Sequence, residues 1–222
     1  MSGLVLAVDA STYTASVALV DGDTVVRERT VAMRDPRQER LMPAVADTLG
    51  PGGMSDIVAI VCGSGPGSFT SLRIAASIAK GLANASGRPL FAVSSLALLI
   101  AGVEGGPPEG RWLALLDAMR AEFFAQVFEV GSAGAISEES EVRVVRDEDV
   151  PSLARAMRAR TAGRGRELEA APRARGVVRL SGQRSLQTAV DLASWEPDYG
   201  RLAEAQVRWE AAHGRALDGR SW

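Results

Sequence analysis

Four stretches of this sequence carry side chains of a type and spacing that could do chemistry. The first is Asp9-Ala10-Ser11-Thr12, directly after the apolar run Leu4–Val8. An aspartate at the carboxyl end of a strand, followed by a hydroxyl-rich turn, can present backbone N–H groups and hydroxyls to phosphate. A glycine close behind the aspartate would let the backbone approach the phosphates. Ser11 holds that place, so the turn reads as a degenerate phosphate loop or as a polar strand end bonded within its own turn. The second stretch is Gly63-Ser64-Gly65-Pro66-Gly67-Ser68-Phe69-Thr70, between an apolar strand and a long helix, where free N–H groups and the helix dipole favour an anion. It is not a P-loop, because no Lys-Ser or Lys-Thr follows the last glycine and Lys80 lies too far along. Pro66 makes it a poor dinucleotide fingerprint. A tight crossover that packs helix closely on strand explains the same glycines.

The third stretch is Asp117-Ala118-Met119-Arg120-Ala121-Glu122. Its two carboxylates could pair for acid–base work, or satisfy a turn and a neighbouring arginine. The fourth is a charge cluster from Pro151 to Arg184. There Arg155, Arg158, Arg160, Arg164, Arg166, Arg173, Arg175, Arg179 and Arg184 face only Glu167 and Glu169, a local balance of +7. Such a patch can hold phosphates of a nucleic acid without reading sequence, or be a solvated face.

Composition excludes several classes. The chain has 222 residues, 25 basic and 27 acidic side chains and a net charge of -2, which argues against gripping nucleic acid with its whole surface. There is one histidine, His213, and one cysteine, Cys62. A zinc site of cysteines and histidines cannot be assembled within one chain. A disulfide framework is impossible, which fits a reducing compartment. A Ser-His-Asp triad would have to use His213, beside which nothing resembles a triad element. Residues 1–8 lack a charged n-region and Asp9 interrupts their apolar run, so no secretory signal is read. The long apolar stretch Ile74–Val103 holds Lys80 and Arg88 and reads as buried helix and strand, with no membrane span. A cytoplasmic protein is expected.

The elements that position these groups follow from periodicity. Leu4–Val8, Thr14–Val20 and Thr24–Val31 read as three antiparallel strands, the last two joined at Asp21-Gly22-Asp23. Arg37–Leu49 reads as a helix with Leu41, Val45 and Leu49 on one face and Pro43 in an early turn or a kink. Ile57–Cys62 is a strand, Ser71–Ala85 a helix, Leu90–Val93 a strand, and Ser94-Ser95 caps a helix over Leu96–Ala101. Gly102–Gly110 is the best lobe boundary. Beyond it, strands are predicted at Arg111–Leu116, Phe123–Val130, Glu141–Val145, Thr161–Gly163 and Val177–Leu180. Helices are predicted at Pro151–Ala159, Leu186–Ala193 and Arg201–Ala212. A meander followed by alternating helix and strand implies mixed sheets flanked by helices. This α/β order suits the actin-like, Hsp70-like and sugar-kinase-like (ASKHA) two-lobe fold, with a first lobe at 1–103 and a smaller second lobe at 104–222.

The segment Cys62-Gly63-Ser64-Gly65-Pro66-Gly67-Ser68-Phe69-Thr70-Ser71-Leu72-Arg73-Ile74, followed by Ala79-Lys80-Gly81-Leu82-Ala83, closely resembles the signature of the TsaB (YeaZ) family. Other pieces occur in the family's order: Leu6–Thr12, Glu39-Arg40-Leu41-Met42-Pro43, Val93-Ser94-Ser95-Leu96, Asp117–Phe124 and Pro197-Asp198-Tyr199. Two positions depart from it, with Arg37 in place of a histidine and Ser71 in place of a glycine.

The resemblance implies a partner subunit in bacterial tRNA threonylcarbamoyladenosine biosynthesis rather than an enzyme acting alone. It implies the fold of the catalytic subunit TsaD without that subunit's metal-binding histidines. The chain has no His-x-x-x-His, which also argues against the glycoprotease label of the fold group. It further implies pairing with TsaD through first-lobe helices, homodimers when alone, docking of a TsaE-like ATPase, and adenine nucleotide (ATP or ADP) at the complex interface. On this reading Glu39, Arg40, Leu41, Met42, Pro43, Arg73 and Ala76 lie at or near the partner contact, and tRNA can be touched within the complex. Ala75, Ala76, Ala79 and Ala83 either admit a partner helix or are buried in their own core. The runner-up is a nucleotide-hydrolysing actin-like enzyme using the Asp9 loop.

Overall fold

Apolar runs from two regions of the chain build two sheets, described from a computed structural model. It describes residues 3–33, 39–180, 182 and 186–200. In the first sheet β1 (Leu4–Asp9) pairs antiparallel with β2 (Thr14–Asp21), which pairs antiparallel with β3 (Thr24–Ala32). After α1 (Leu41–Leu49), β4 (Ile57–Gly63) joins β1 in parallel. After α2 (Phe69–Ser86), β5 (Leu90–Val93) joins β4 in parallel, giving the order β3-β2-β1-β4-β5. Helix α3 (Ser95–Ala101) then leads to the second sheet.

That sheet starts with the antiparallel pair β6 (Gly110–Asp117) and β7 (Glu122–Val130). The short strands β8 (Ile136–Glu138) and β9 (Arg143–Arg146) both pair antiparallel with β7. After α4 (Val150–Met157), β10 (Arg160–Gly163) lies parallel to β6, and β11 (Leu168–Glu169) parallel to β10. Both sheets are mixed and flanked by helices, as the alternation implied.

The period of two along each strand splits the core into layers. One face of the first sheet (Leu6, Val8, Val17, Leu19, Ile60, Cys62) packs under α1 and α2. Its other face (Val5, Ala7, Ala59, Val61) joins Trp112, Leu116, Phe124 and Phe128 of the second sheet around α3, every residue of which is buried. The outer face of the second sheet (Leu113, Leu115, Val127) is covered by α4. Residues 186–200, placed by sequence in the second lobe, return to the first sheet: Val190 N–H donates to Leu90 O, and Trp195 packs on the layer under α2.

Several expectations are corrected. Val177–Leu180 is not a strand; Ala174–Arg179 forms a 3₁₀ helix wedged against α3, and Gly176 sits so close that a side chain there would meet Gly102 N and Ala101. The described residues between Leu186 and Ala193 form turns and irregular chain instead of an α-helix, and Val190 N–H donates to Leu90 O at the β5 edge. The first helix begins at Leu41, so Pro43 lies in its first turn, where the missing N–H costs nothing. Strands β8 and β11, of three and two residues, carry no sequence signal of their own. Arg37, Arg184, the predicted helix Arg201–Ala212 and His213 lie outside the described residues.

Candidate functional site: the Asp9 turn and the glycine loop

Asp9 ends β1 fully buried. Its Oδ1 accepts from Ser11 N–H at 3.0 Å and Ser11 Oγ at 2.7 Å, and its Oδ2 accepts from Ser95 Oγ at 2.5 Å. Burial raises the carboxyl from its ordinary value, and the hydrogen bonds from Ser95 and Ser11 oppose that shift. Burial, then the nearby Asp9 charge, also raise the Cys62 thiol, which leaves it inert as a nucleophile. Thr12 spends its hydroxyl on Thr14, donating to Thr14 O at 2.8 Å and accepting from Thr14 N–H at 3.1 Å. The turn therefore aims its carboxylate inward.

The glycine loop closes over this aspartate. Ser95 N–H donates to Gly65 O, and Gly65 N–H donates to Ser95 Oγ at 3.1 Å. Ser68 N–H donates to Ser11 O at 2.7 Å. A Cβ at Gly63 would collide with Asp9 Oδ2, one at Gly67 with Ser11 O, and one at Gly65 with Asp198 O. Oxygens of the chain itself thus occupy the space beside all three glycines. This decides how the nucleotide implied by the fold group fits. Phosphate would face a buried carboxylate and two carbonyl oxygens at the positions where it needs donors, so the residues present do not fit it. The tight-crossover explanation of the glycines stands.

The outer side of the loop carries a strap, residues 195–200. Asp198 N–H donates to Ser64 O at 2.7 Å, and Lys80 Nζ donates to Trp195 O at 3.0 Å. The Tyr199 ring stands 4.4 Å from that of Phe69 at 46°. Arg73 Nε donates to Tyr199 Oη at 3.2 Å, and its guanidinium lies 4.5 Å from the Phe69 centroid. The hydrogen bond to Tyr199 is the chief cause that raises the Arg73 pKa. Sequence marked Pro197-Asp198-Tyr199 without assigning it a contact. It read Ser95 as part of a cap, whereas Ser94 Oγ caps α3 at Ala97 N–H and Ser95 Oγ is free to hold Asp9. Pro66 is buried and Ser68 Oγ bonds Ser71 Oγ at 3.2 Å, while Phe69 and Thr70 are exposed at the start of α2.

The remaining candidates divide. Asp117 Oδ1 accepts from Met119 N–H at 2.7 Å, which makes it a turn residue of the β6–β7 hairpin. That turn holds Met119, Arg120 and Ala121 at φ of 67°, 58° and 58°, a left-handed run costly for side chains with a Cβ. Its tip meets the Asp9 hairpin, with Tyr13 Oη donating to Met119 Sδ at 3.6 Å. The arginine cluster is dispersed into structural contacts. Arg160 donates to Glu109 O and stacks on Trp112, and Arg166 pairs with Asp147 at 2.6 Å over Phe123. Arg175 lies 3.5 Å from Glu28 of β3, and Arg179 donates to Ala101 O at the end of α3. Arg155, Arg158 and Arg164 are exposed.

Among the expected partner-contact residues, Glu39, Arg40, Met42, Pro43 and Arg73 are exposed. Burial removes two others: Leu41 is 0% exposed, inside the layer under α1, and Ala76 is 5% exposed. Ala75, Ala79 and Ala83 are buried with them, so these alanines serve their own core. The outward face of α2 is Thr70, Arg73, Ser77, Gly81 and Asn84. Glu39 Oε1 accepts from Leu41 N–H and Met42 N–H, satisfying orphan donors at the start of α1. No group of three or more His, Cys, Asp or Glu placed to hold a metal occurs among the described residues. No helix among them is long and apolar enough to cross a membrane.

A family model described as TsaD, tRNA N6-adenosine threonylcarbamoyltransferase, matches residues 32–186. The chain is 30% identical to the tRNA threonylcarbamoyladenosine biosynthesis protein TsaB of Bacillus subtilis, over 92% of this chain and 97% of that protein. It is 38% identical to the Escherichia coli protein of the same description, over 54% of this chain and 52% of that one. Among solved structures it is similar to YeaZ from Pseudomonas aeruginosa, with a TM-score of 0.71 and 28% identity over 90% of this chain and 100% of that one.

Proposed function

The chain belongs to the TsaB family, and from that premise we propose that it is the non-catalytic subunit that binds a TsaD-type catalytic subunit and supports threonylcarbamoyl transfer to N6 of the adenosine beside the tRNA anticodon. The observation that carries this is the Asp9 turn. Its carboxylate is buried and bonded to Ser11 and Ser95, and the chain's own oxygens fill the glycine cradle. A hydrolytic enzyme of the actin-like group needs that turn open to phosphate. The family model that matches bears the transferase's description, but one histidine in 222 residues cannot supply the paired histidines ascribed to that subunit.

On this reading the outward residues Glu39, Arg40, Met42, Pro43 and Arg73 contribute to the contact with the catalytic subunit, and the same helices mediate a homodimer when that subunit is absent. A TsaE-type ATPase docks on the pair, adenine nucleotide acts at the complex interface or in the partner subunits, and the assembly works in the cytoplasm. Contact with tRNA falls to Arg155, Arg158 and Arg164, which are exposed.

The test is reconstitution of tRNA modification from purified subunits. Modification depends on this chain, and Asp9→Ala supports it at the wild-type rate per folded molecule. Robust ATP hydrolysis by the isolated chain, lost in Asp9→Ala, would establish the enzyme reading instead.

A further inference from the structure

Arg73 is exposed on α2, yet it is not a loose surface arginine. Phe69, one turn earlier, lies under its guanidinium at 4.5 Å, and the Tyr199 ring flanks it at 5.8 Å. Tyr199 Oη accepts from Nε at 3.2 Å. Tyr199 is fixed in turn, because Asp198 N–H is bonded to Ser64 O and Asp198 Oδ1 accepts from Gly200 N–H at 2.7 Å. A guanidinium has five N–H donors in a planar fork. One is spent on Tyr199, and the donors of its two terminal nitrogens meet no acceptor among the described residues. No ion pair to Arg73 occurs among them either, and Glu196 is the least of the influences on its charge.

We propose that Arg73 is a preset anchor for a carboxylate of the partner subunit, with the strap residue Tyr199 as its positioning residue. The inference rests on the heterodimer reading and adds the chemistry of the contact. A planar fork held by two rings has already lost the rotamer freedom that binding would take, so its remaining donors are ready for a two-pronged hydrogen bond to a carboxylate. Arginine and aromatic clusters of this kind are where binding energy concentrates. A protein carboxylate suits the surroundings better than nucleic-acid phosphate does. Phe69, Thr70 and Ser77 beside Arg73 are uncharged, and Lys80 is directed at Trp195 O, so among these neighbours no second cation stands beside the fork. Phosphate backbones are gripped by several cations together.

The experiment measures the affinity of the full chain for its TsaD-type subunit by calorimetry, with thermal melts of each variant alongside. Arg73→Gln weakens binding about tenfold or more, and Arg73→Lys fails to restore it because an ammonium cannot make the fork. Tyr199→Phe keeps the ring, loses the hydroxyl and weakens binding about threefold, with melting midpoints within about 3 °C of wild type. If the wild type binds and Arg73→Gln binds equally well, the anchor is refuted while the heterodimer stands. If the wild type does not bind, both fail. A loss of affinity that tracks a lowered midpoint, with Arg73→Lys restoring both, makes Arg73 a clasp for the strap only. Weakened tRNA binding with unchanged partner affinity assigns Arg73 to phosphate and overturns the proposal.

Discussion

Ser95 Oγ donates a 2.5 Å hydrogen bond to Asp9 Oδ2 across 86 residues of sequence, tying the start of α3 to the end of β1 inside the core. The same hydroxyl accepts from Gly65 N–H, so one side chain holds the aspartate and the glycine loop together. Ser95→Ala leaves a buried carboxylate oxygen and a buried N–H without partners, which costs about 2–3 kcal/mol. Urea unfolding of the two proteins measures this directly, and an unchanged midpoint would contradict it.

The protonation of Asp9 is linked to stability. Burial raises its folded-state pKa above the ordinary 3.8, so the native state holds this proton more tightly than the unfolded chain does. The contribution is most favourable below pH 3.8 and is lost as pH rises through the folded value. Asp9→Asn does not titrate. The stability of the wild type relative to Asp9→Asn is therefore greatest in acid and declines as pH rises, a trend that paired melts from about pH 3 to pH 7 will reveal. A difference that grows with pH would show the opposite shift.

The hairpin tip after β6 stores backbone strain. Ala121 has a φ of 58° and accepts from Asp147 N–H through its carbonyl, an interaction that glycine preserves. Relief of the left-handed penalty outweighs the added chain entropy, so Ala121→Gly stabilises by about 0.5–1 kcal/mol. A lowered melting temperature would show that the turn is not strained in this way.

The arginine cluster separates into structural and exposed members. Arg179 donates to Ala101 O at 2.8 Å and Val103 O at 3.4 Å, covering carbonyls at the end of α3. Arg179→Gln destabilises by about 1–2 kcal/mol and leaves the salt dependence of tRNA binding by the complex unchanged. Joint neutralisation of Arg155, Arg158 and Arg164 lowers that salt slope with little change in stability. The reverse pattern in a filter-binding series would place the tRNA contact elsewhere.

Much of this was legible in the sequence because the relevant signals are local. The apolar runs of β1, β4 and β5, and the glycine turn between β2 and β3, declare themselves over a few residues. The helix α2 itself is legible from its alanine-rich, apolar sequence, but whether Ala75, Ala79 and Ala83 face the core or a partner helix is decided only by their burial. What was missed depends on distant partners. Val177 and Val178 are β-branched and suggest a strand, but Gly176 must nest against Gly102, and the chain tightens into a 3₁₀ turn there. Leu186–Ala193 has helical spacing, but the β5 edge offers Leu90 O to Val190. The glycine loop advertised an anion site, and no local pattern could say that Asp198 O, over 130 residues later, stands against it. Leu41 lies in a family motif and Ala76 on the same helix as one, and only packing distinguishes a core residue from one at the surface.

On the proposed reading this chain is the partner of a catalytic subunit. The most direct test of that reading is the mass of a mixture of the chain with its organism's TsaD, measured by size-exclusion chromatography with light scattering. A stable one-to-one heterodimer is expected, weakened by charge reversal at Glu39 and Arg40 and by Arg73→Gln. Two species that stay separate, with and without adenine nucleotide, would contradict it.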